Sequence, residues 1–318
     1  MSPSRVDISV IVCTLAGRKD IHETLRSLAG VAVPPGRSVE WVIVENGPAP
    51  LGPAAFTGFA AARRDVRALH SAPRCKSIAL NLGIRESRGE ALLFADDDLR
   101  FRPDWIAQLA GPLLSGSAPA VAGSIELPAP LRRPWMTAYH LGWLGCIRRE
   151  PGVRTGEMAG ANMGIHRRVL AQVPAFDEEL GGGGLGNCED TLFSRQLMAC
   201  GLAPHLVPAA AVEHHFQPEK LLYRNWVRNA EAAGRSEAYL QHHWSHADFP
   251  GAQLRERYFQ AKLAFRCRLQ PGPRGDAEGI APWELSYRVS LARWRQYRIE
   301  RRRPRNYARL GSRKLVPA

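Results

Sequence analysis

The sequence feature that most constrains the fold is a pair of apolar, β-branched runs separated by a helical pattern. Residues 7–14 (DISVIVCT) and 39–45 (VEWVIVE) have the composition of strands buried on both faces of a sheet. Between them, Asp20 and Glu23 have the spacing of a capping box, and apolar residues recur at helical spacing up to Gly30. A strand, a helix and a strand in this order predict a crossover unit in a parallel sheet covered by helices.

The alternation of strand and helix patterns continues along two thirds of the chain. Further strands are predicted over 66–70, 91–95, 120–127 and 205–212, and further helices over 55–64, 77–87, 105–114, 167–172 and 189–200. Together they predict an α/β fold built on a mostly parallel sheet.

Two segments depart from this alternation. Residues 128–156 are rich in Pro, Gly, Trp and Arg without a clear period, and we expect a loop or lid there. Residues 221–233 and 254–269 have helical patterns, and a joint rich in Pro and Gly lies over 271–279. We therefore expect an α/β domain over 1–217 and a helical extension over 218–318.

Most of the net charge of +13 lies at one end of the chain. Residues 285–318 contain eleven Arg and Lys against a single acid, Glu300, so the body is nearly balanced. Aliphatic and aromatic residues are interleaved with these cations, and this pattern fits a helix lying on an anionic membrane. A solvated helix and a polyanion-binding tail fit it as well, and no sequence-specific nucleic-acid contact is expected.

The remaining composition indicates a cytoplasmic protein. No run approaches the ~18 consecutive apolar residues of a membrane span, and residues 1–7 lack the pattern of a signal peptide. The six cysteines are scattered and form no C-x-x-C pair, so free thiols in a reducing compartment are expected.

Three adjacent carboxylates, Asp96 to Asp98, directly follow the predicted strand 91–95. Such crowding raises the pKa of each acid unless a cation shares the site, and a divalent metal bound by oxygen ligands would do so. In an extended segment Asp96 and Asp98 would project to one side and Asp97 to the other. A solvated turn is the alternative interpretation.

Thr14 and Glu45 end neighbouring predicted strands, so we expect them on the same rim of the sheet as the three aspartates.

These patterns, taken in order, resemble the family-2 glycosyltransferases of the GT-A fold. The resemblance covers about residues 7–216. The matching segments are DISVIVCT, VEWVIVENG, KSIALNLGIRESRGEALLFADDD, FRPDWI, ANMGIHRRVL, FDEEL with GLGNCEDTLFSRQLMACG, and LVPAAAVEH. It implies a Rossmann-like GT-A domain that takes sugar from a UDP-, GDP- or dTDP-linked donor.

The resemblance also implies a metal site. In that family the aspartate cluster holds Mn²⁺ or Mg²⁺ against the diphosphate of the donor, which makes Asp98 and Asp96 the expected ligands. His214 matches a family histidine that follows the last sheet strand near the metal, and the adjacent His215 leaves the choice between the two open. Solvation at the strand end is the alternative role for either histidine.

Further residues are assigned by the same resemblance. The donor site is expected to include Thr14, Glu45, Lys76, Asn81 and Asp97, with Glu45 accepting a hydrogen bond from the base and Lys76 meeting a phosphate. The family more often has Asp where this chain has Glu45. Glu189 and Asn162 are assigned to the acceptor site.

Asp190 is the expected catalytic base. A carboxylate within hydrogen-bond reach can take the proton of an acceptor hydroxyl as the anomeric carbon is attacked, and such a single displacement inverts that carbon. Because Asp190 also begins a predicted helix, a role in favourable interaction with the helix dipole is the alternative.

The class is narrowed by two features that the sequence lacks. Processive members carry membrane spans and a Q-x-x-R-W motif, so we expect transfer of one sugar at a time to a glycan, lipid-linked or small-molecule acceptor. A nucleotidyltransferase is the second enzymatic hypothesis, with Ala16 to Lys19 as its phosphate loop. A non-enzymatic protein that binds polyanions through its tail is the third.

Overall fold

A mixed eight-stranded sheet forms the centre of the computed structural model, which describes residues 6–18, 20–149 and 156–315. Its strands in chain order are β1 (Ile8–Leu15), β2 (Val39–Asn46), β3 (Val66–Ser71), β4 (Ala91–Asp96), β5 (Leu99–Phe101), β6 (Ala120–Glu126), β7 (Asn162–His166) and β8 (His205–His214). Their spatial order is β3-β2-β1-β4-β7-β6-β8-β5. The pairs among β1 to β4 are parallel, as is β6 with β8, whereas β7 is antiparallel to both its neighbours and β5 is antiparallel to β8. The predicted α/β fold is confirmed, with a more mixed second half.

Helices cover the sheet and continue beyond it. In chain order they are α1 (Ile21–Ala29), α2 (Thr57–Ala62), α3 (Lys76–Glu86), α4 (Trp105–Leu114), α5 (Ala138–Trp143), α6 (Glu189–Ala199), α7 (Tyr223–Tyr239), α8 (Ala252–Leu269) and α9 (Pro282–Glu300). Within the described residues, none of the helices combines the length and apolar character needed to cross a bilayer.

The β-branched runs are continuous because both faces of the sheet are covered. Along β1, Ile8, Val10 and Val12 pack into one core cluster with α1 and α4. Ile11 and Cys13 point to the other face and pack with α3 and α6. Burial of successive residues on opposite faces explains why no apolar and polar alternation is seen in the sequence.

The parallel register brings the ends of three strands to one edge. Thr14 is paired with Glu45 across β1 and β2, and Cys13 is paired with Asp96 across β1 and β4. The expectation of a shared rim is therefore confirmed for these positions.

Several local predictions need correction. The segment expected to be a loop or lid contains a 3₁₀ turn at Ala129–Leu131 and α5, while its residues 150–155 lie outside the described ranges. The helix predicted over 167–172 is a 3₁₀ helix, Arg167–Ala171. Part of the helix predicted over 55–64 is also 3₁₀, at Pro53–Phe56, where a proline at the first position favours a turn start.

The basic tail is largely part of the fold. In α9, Leu285, Leu291, Trp294 and Tyr297 are buried, so the apolar positions assigned to a membrane-facing side mostly pack within the protein. The tail is therefore not a free amphipathic helix, although Ile299 remains 56% exposed. Since the mixture of apolar and basic residues is the same in both cases, the pattern could not separate core packing from membrane contact.

A buried carboxylate joins the extension to the α/β part. Asp177 accepts hydrogen bonds from the hydroxyls of Tyr239 at 2.6 Å and Tyr307 at 2.7 Å, and Lys314 Nζ lies 2.8 Å from its other oxygen. Asn306 and Lys314 also contact Glu179. Residues on both sides of the expected boundary at 217 thus share one network, and their division into two domains stays a prediction.

Removing one hydroxyl from this network is expected to destabilise the whole protein. Because Tyr307 donates to a buried, charged acceptor, Tyr307→Phe should lower the free energy of unfolding by about 1.5–3 kcal/mol. The free energy is measured by urea denaturation. Tyr258→Phe is the control, since Tyr258 is 55% exposed and its loss should cost less than about 0.5 kcal/mol. Equal effects of the two changes would contradict the anchoring role of Asp177.

Candidate functional site

Two cavities meet at the edge where the strands end. The smaller, of about 280 Å³, is lined by the aspartate run and by four basic side chains: Arg18, Arg74, Lys76 and Lys220. The larger, of about 830 Å³, extends from Lys76 and Asp96 past Asp190 to α5 and α7. Lys76, Asp96, His214 and Lys220 line both cavities. Chemistry that links two bound molecules would take place where these side chains lie.

Asp96 ends β4 and pairs with the first residue of α3. Its Oδ1 lies 2.8 Å from Lys76 Nζ, and the same ammonium is 3.5 Å from Glu189 Oε1 at the start of α6. Burial would lower the pKa of Lys76, but the carboxylates around it raise that pKa well above its usual value. Lys76 is therefore a half-buried, permanently charged link between the end of β4 and the start of α6.

The pKa of Glu189 is shifted by its burial and by these neighbouring charges. Burial raises its pKa to about 7, and the neighbouring Asp190 adds to the shift while Lys76 opposes it. Because Glu189 is only 5% exposed and its carboxylate faces the Lys76 ammonium, it acts on the site through Lys76.

Asp98 lies opposite His214. One of the two carboxylate oxygens of Asp98 accepts no hydrogen bond from the described residues. His214 Nδ1 is 2.9 Å from the Leu144 carbonyl oxygen, which only accepts, so Nδ1 carries the proton and donates it. His214 Nε2 then faces Asp98 Oδ1 at 3.2 Å, and that buried oxygen has no hydrogen-bond partner among the described residues. Burial would raise the pKa of Asp98, but the positive charges of Lys220 and Arg18, together with His214 when its imidazole is protonated, hold that pKa well below the usual range.

This pair is a fitting place for a divalent cation. A neutral imidazole nitrogen and an ionised carboxylate oxygen, both buried and facing each other, are metal ligands. In the described part of the chain, no three His, Cys, Asp or Glu side chains converge into a metal-binding group. The protein thus offers a partial ligand set, which suits a cation that also takes oxygens from a bound phosphate.

Asp97 is held away from this pair. It accepts hydrogen bonds from Thr14 Oγ1 at 2.6 Å and from Arg18 Nη1 at 2.9 Å. Arg18 also reaches Asp98 Oδ2 at 3.4 Å. Asp97 and Asp98 lie in a turn beyond β4, so the strand alternation used to separate Asp97 from its neighbours does not extend to them. Burial raises the pKa of Asp97 to about 6 against the opposing effect of Arg18.

Asp190 lies in the first turn of α6 on the wall of the larger cavity. Its Oδ2 accepts a hydrogen bond from the Gly160 amide at 2.7 Å, and its Oδ1 accepts one from its neighbour Thr191's amide at 2.7 Å. A Cβ on Gly160 would lie 3.4 Å from Asp190 Oδ2 and 3.5 Å from Lys76 Nζ. The glycine therefore leaves open the space between the carboxylate and the lysine.

The glycine run before α6 is explained by close backbone approaches. Gly183 has φ +97°, and a Cβ there would lie 1.7 Å from the Arg74 carbonyl oxygen. Gly186 has φ +135°, and its Cβ would lie 2.3 Å from the Ala232 Cβ on α7. A side chain at either position would push the loop away from the segment that precedes α3 or from the extension.

The outer wall of the larger cavity is aromatic and amide-bearing. Tyr139 and Trp143 of α5 line it together with Asn225, Trp226 and Asn229 of α7. Tyr139 is 44% exposed, and its ring centroid lies 6.3 Å from that of Trp143. Flat apolar rings beside amides suit a ligand with both C–H faces and hydroxyl groups.

The structure brings most of the expected site residues together. Those lining the two cavities are Lys76, Asp96, Asp97, Asp98, Asp190 and His214. Thr14 and Glu189 lie directly behind them, in contact with Asp97 and Lys76. His215 instead pairs with Glu213 at 2.8 Å, so His214 is the histidine that faces Asp98.

Three expected site residues, Glu45, Asn81 and Asn162, are not among the described residues that line the two cavities. Both carboxylate oxygens of Glu45 accept hydrogen bonds from backbone amides, those of Leu51 and Gly52, which closes the loop after β2. Asn81 bridges α3 to the backbone of Phe176, which orders the segment that carries Asp177.

Asn162, the third of these residues, is the clearest correction. It is 0% exposed, and its amide bonds the Trp105 indole and the carbonyl oxygens of Ser124 and Ala210. A side chain so enclosed cannot contact an acceptor, so its role is to join β7 to its neighbours in the sheet.

Sequence reasoning missed several lining residues. Arg18 comes just after β1, at the rim of the predicted sheet, so its position was a usable signal. Lys220 and the residues of α5 and α7 had no local signal, because only the folded chain brings the extension to the sheet edge.

Comparison with known proteins gives a family and a related sequence. The family model described as glycosyl transferase family 2 matches residues 9–173. The chain is 28% identical over 249 residues to the succinoglycan biosynthesis protein ExoM of Rhizobium meliloti (strain 1021), with 76% of this chain and 79% of that protein covered.

Two solved structures share the fold. One is the mannosyltransferase PcManGT from Pyrobaculum calidifontis in complex with GDP-Man and Mn²⁺, at a TM-score of 0.51 and 17% identity, covering 92% of this chain and 70% of that one. The other is a mycobacterial protein at a TM-score of 0.50 and 22% identity, covering 73% of this chain and 74% of that one. At these identities the likeness concerns the fold, which is that of the GT-A glycosyltransferases.

Proposed function

The chain belongs to glycosyl transferase family 2 and is a glycosyltransferase; we propose that it transfers a single sugar, with inversion, from a nucleoside-diphosphate sugar to a glycan acceptor in a metal-dependent reaction. The observation that carries this proposal is the pair of cavities that meet at Lys76, Asp96, His214 and Lys220. One cavity is suited to the donor and the other to the acceptor, so the bond between sugar and diphosphate would lie at their junction.

The smaller cavity is the proposed donor site. Its basic side chains, Arg18, Arg74, Lys76 and Lys220, complement a diphosphate, and Lys76 and Lys220 also reach the junction. Asp98 and His214 would hold Mn²⁺ or Mg²⁺ there, and Asp96 would join them only by giving up its contact with Lys76. The cation would neutralise charge that develops on the leaving diphosphate. A UDP-, GDP- or dTDP-linked donor fits this chemistry.

Asp190 is the proposed catalytic base. Two backbone amides orient its carboxylate, and Oδ2, which accepts a hydrogen bond from the Gly160 amide, keeps a lone pair for a further one. An acceptor hydroxyl beside Asp190 would lose its proton to this carboxylate while its oxygen attacks the anomeric carbon from the side opposite the diphosphate. A single displacement of this kind inverts the anomeric configuration.

The larger cavity is the proposed acceptor site. Its volume of about 830 Å³ is ample for a sugar unit, and Tyr139 and Trp143 offer rings against which sugar C–H faces pack. Asn225 and Asn229 provide amides for sugar hydroxyls. A glycan acceptor is also consistent with the related protein's name in succinoglycan biosynthesis. Glu189 supports this side indirectly by fixing Lys76.

The two alternative functions lose their basis. The family match makes the chain a glycosyltransferase, so the non-enzymatic hypothesis is wrong. The same family match replaces the nucleotidyltransferase hypothesis. In the segment considered as its phosphate loop, Lys19 lies outside the described residues.

A cytoplasmic location is part of the proposal. All six cysteines are free, four of them in intermediate positions of burial, which suits a reducing compartment.

Donor binding can be tested by a thermal-shift screen of UDP-, GDP- and dTDP-sugars with and without Mn²⁺. At roughly 100 times Kd, the cognate donor should raise Tm by about 4 °C, because only the folded state binds it. The shift should require Mn²⁺. A nucleoside monophosphate, which lacks the diphosphate, is the control ligand. A metal-independent shift for every nucleotide would contradict the proposed donor site.

A further inference from the structure

The outward side of α8 carries a stripe of exposed apolar side chains. Leu254 is 73% exposed, Tyr258 55%, Phe265 64% and Leu269 64%. Their spacing of three to four residues, completed by Ala261, aligns them on one face of the helix. Of the 18 residues of α8, all of them described, Ala252 is the one that is buried.

The opposite side of α8 is already used for packing. Phe259 lies against Tyr287 of α9 with ring centroids 6.1 Å apart, and Arg266 donates to the Tyr287 hydroxyl at 3.1 Å. Glu256 pairs with Arg298 of α9 at 2.7 Å. These contacts determine which way α8 faces, so the apolar stripe is turned outward by the fold and is not the helix's attachment surface.

Positive charge surrounds the stripe. The helix has five basic residues and one acid, Glu256, which is paired with Arg295 and Arg298 of α9. Arg257 and Arg268 flank the stripe near its two ends. Beside its first turn, Arg298, Arg301 and Arg302 line a hollow of about 360 Å³ with Gln253.

We propose that α8 lies in the surface of an anionic lipid bilayer, with Leu254, Tyr258, Phe265 and Leu269 inserted among the lipids and the flanking arginines on the headgroups. A helix with an apolar face and basic flanks binds such an interface through buried apolar area and attraction to anionic lipids. From its first to its last residue the stripe runs about 22 Å along the helix, on the outside of the protein.

The basic side chains beside the stripe favour an anionic bilayer over two other possible partners, a second copy of this chain and a nucleic acid. Two copies of α8 packed through their stripes would bring cations at both ends together, in parallel or antiparallel pairing, and like charges repel. A nucleic acid would satisfy the arginines but leave four large apolar side chains uncovered. The apolar side chains of the proposed surface lie on α8 and not in the tail segment 285–318 that the sequence pattern suggested, whose apolar residues are mostly buried. It does not depend on the catalytic roles above.

The test is co-flotation of the full chain with vesicles. Phosphatidylcholine vesicles containing phosphatidylglycerol should carry the protein, and phosphatidylcholine alone should carry little of it. Leu254→Ser with Phe265→Ser should weaken binding at least about tenfold through lost apolar burial. Arg257→Gln with Arg268→Gln should weaken it about 30-fold, at about 1 kcal/mol for each cation. Val33→Ser with Arg85→Gln, an exposed apolar and basic pair elsewhere, is the matched control and should bind as the unchanged protein does.

Several outcomes would overturn the proposal. Absence of binding to the anionic vesicles would do so, as would binding that neither pair of substitutions weakens. If light scattering without lipid shows a dimer that the Leu254 and Phe265 substitutions dissociate, a second copy covers the face. If duplex DNA displaces the vesicles and those two substitutions have no effect, the surface binds polyanions only. Equal Tm values for all variants establish that each is folded.

Discussion

Replacing Asp190 with Asn is expected to lower kcat for sugar transfer by a factor of about 10² to 10⁴. The amide has nearly the shape of the carboxylate, so it can keep a hydrogen bond from the Gly160 amide, but it cannot take a proton from the acceptor. The loss should appear in kcat for transfer, while the Mn²⁺-dependent thermal shift produced by the donor stays within error of that of the unchanged protein.

This combination separates a catalytic role from a structural one. If Asp190 only favoured the start of α6, the substitution would lower Tm and leave the activity of the folded protein nearly unchanged. Asp104→Asn provides the control, since Asp104 precedes α4 and its carboxylate bonds Gln108 on the exposed surface. Undiminished transfer by Asp190→Asn would remove the residue from the role of base.

Replacing Asp98 with Asn should abolish the effect of metal on donor binding. The substitution removes the charge that faces His214 Nε2 and would share a divalent cation with it. We expect the Mn²⁺-dependent part of the donor's thermal shift to disappear and transfer to fall by about 10² to 10³, the usual consequence of losing charge stabilisation at a leaving group. The thermal shift reports donor binding alone, so it tests the metal site even if the variant transfers no sugar.

The comparison variant for Asp98→Asn is again Asp104→Asn, which should retain the full metal effect. Calorimetric titration of the nucleoside diphosphate, with and without Mn²⁺, measures the same effect of the metal directly as a change in affinity. If Asp98→Asn binds the diphosphate with an unchanged response to Mn²⁺, the cation site lies elsewhere in the protein.

The parallel half of the sheet could be predicted because its signals are local. β1, β2 and β4 are mostly apolar runs, interrupted near the start of β1 by Ser9 and of β2 by Glu40, and polar residues mark the place where each run ends. The antiparallel strand β7 was harder to recognise, since it is short, contains Gly164 and is completed by pairing with β4 and β6 from distant parts of the chain.

The site was predictable where a residue's place follows from a strand or helix end. Asp96, Asp98, Asp190 and His214 all stand at such ends, and the fold brings them to the cavities. Asn162 also stands at a strand end, but its partner Trp105 is 57 positions away, and nothing nearby indicates that its amide is enclosed. A polar residue at a strand end thus predicted that the residue lies at the edge of the sheet, but it did not predict which side chain it contacts there.

The extension was the least predictable part, for a physical reason. Apolar residues interleaved with arginines occur both in α8, where they are exposed, and in α9, where they are buried. Only packing against α7 distinguishes the two helices, and that contact has no local pattern.

The network around Asp177 has a consequence for how the enzyme is made. Tyr307 and Lys314 contact this carboxylate from 130 and 137 positions further along the chain. While the protein is being synthesised, all eight strands of the described sheet emerge from the ribosome about a hundred residues before these two partners do. The segment that leads to the glycine loop and Asp190 therefore obtains its last anchors only when synthesis reaches the final turns of the described chain. A nascent chain therefore passes through an interval in which all eight strands have been synthesised but Asp177 still lacks its contacts with Tyr307 and Lys314.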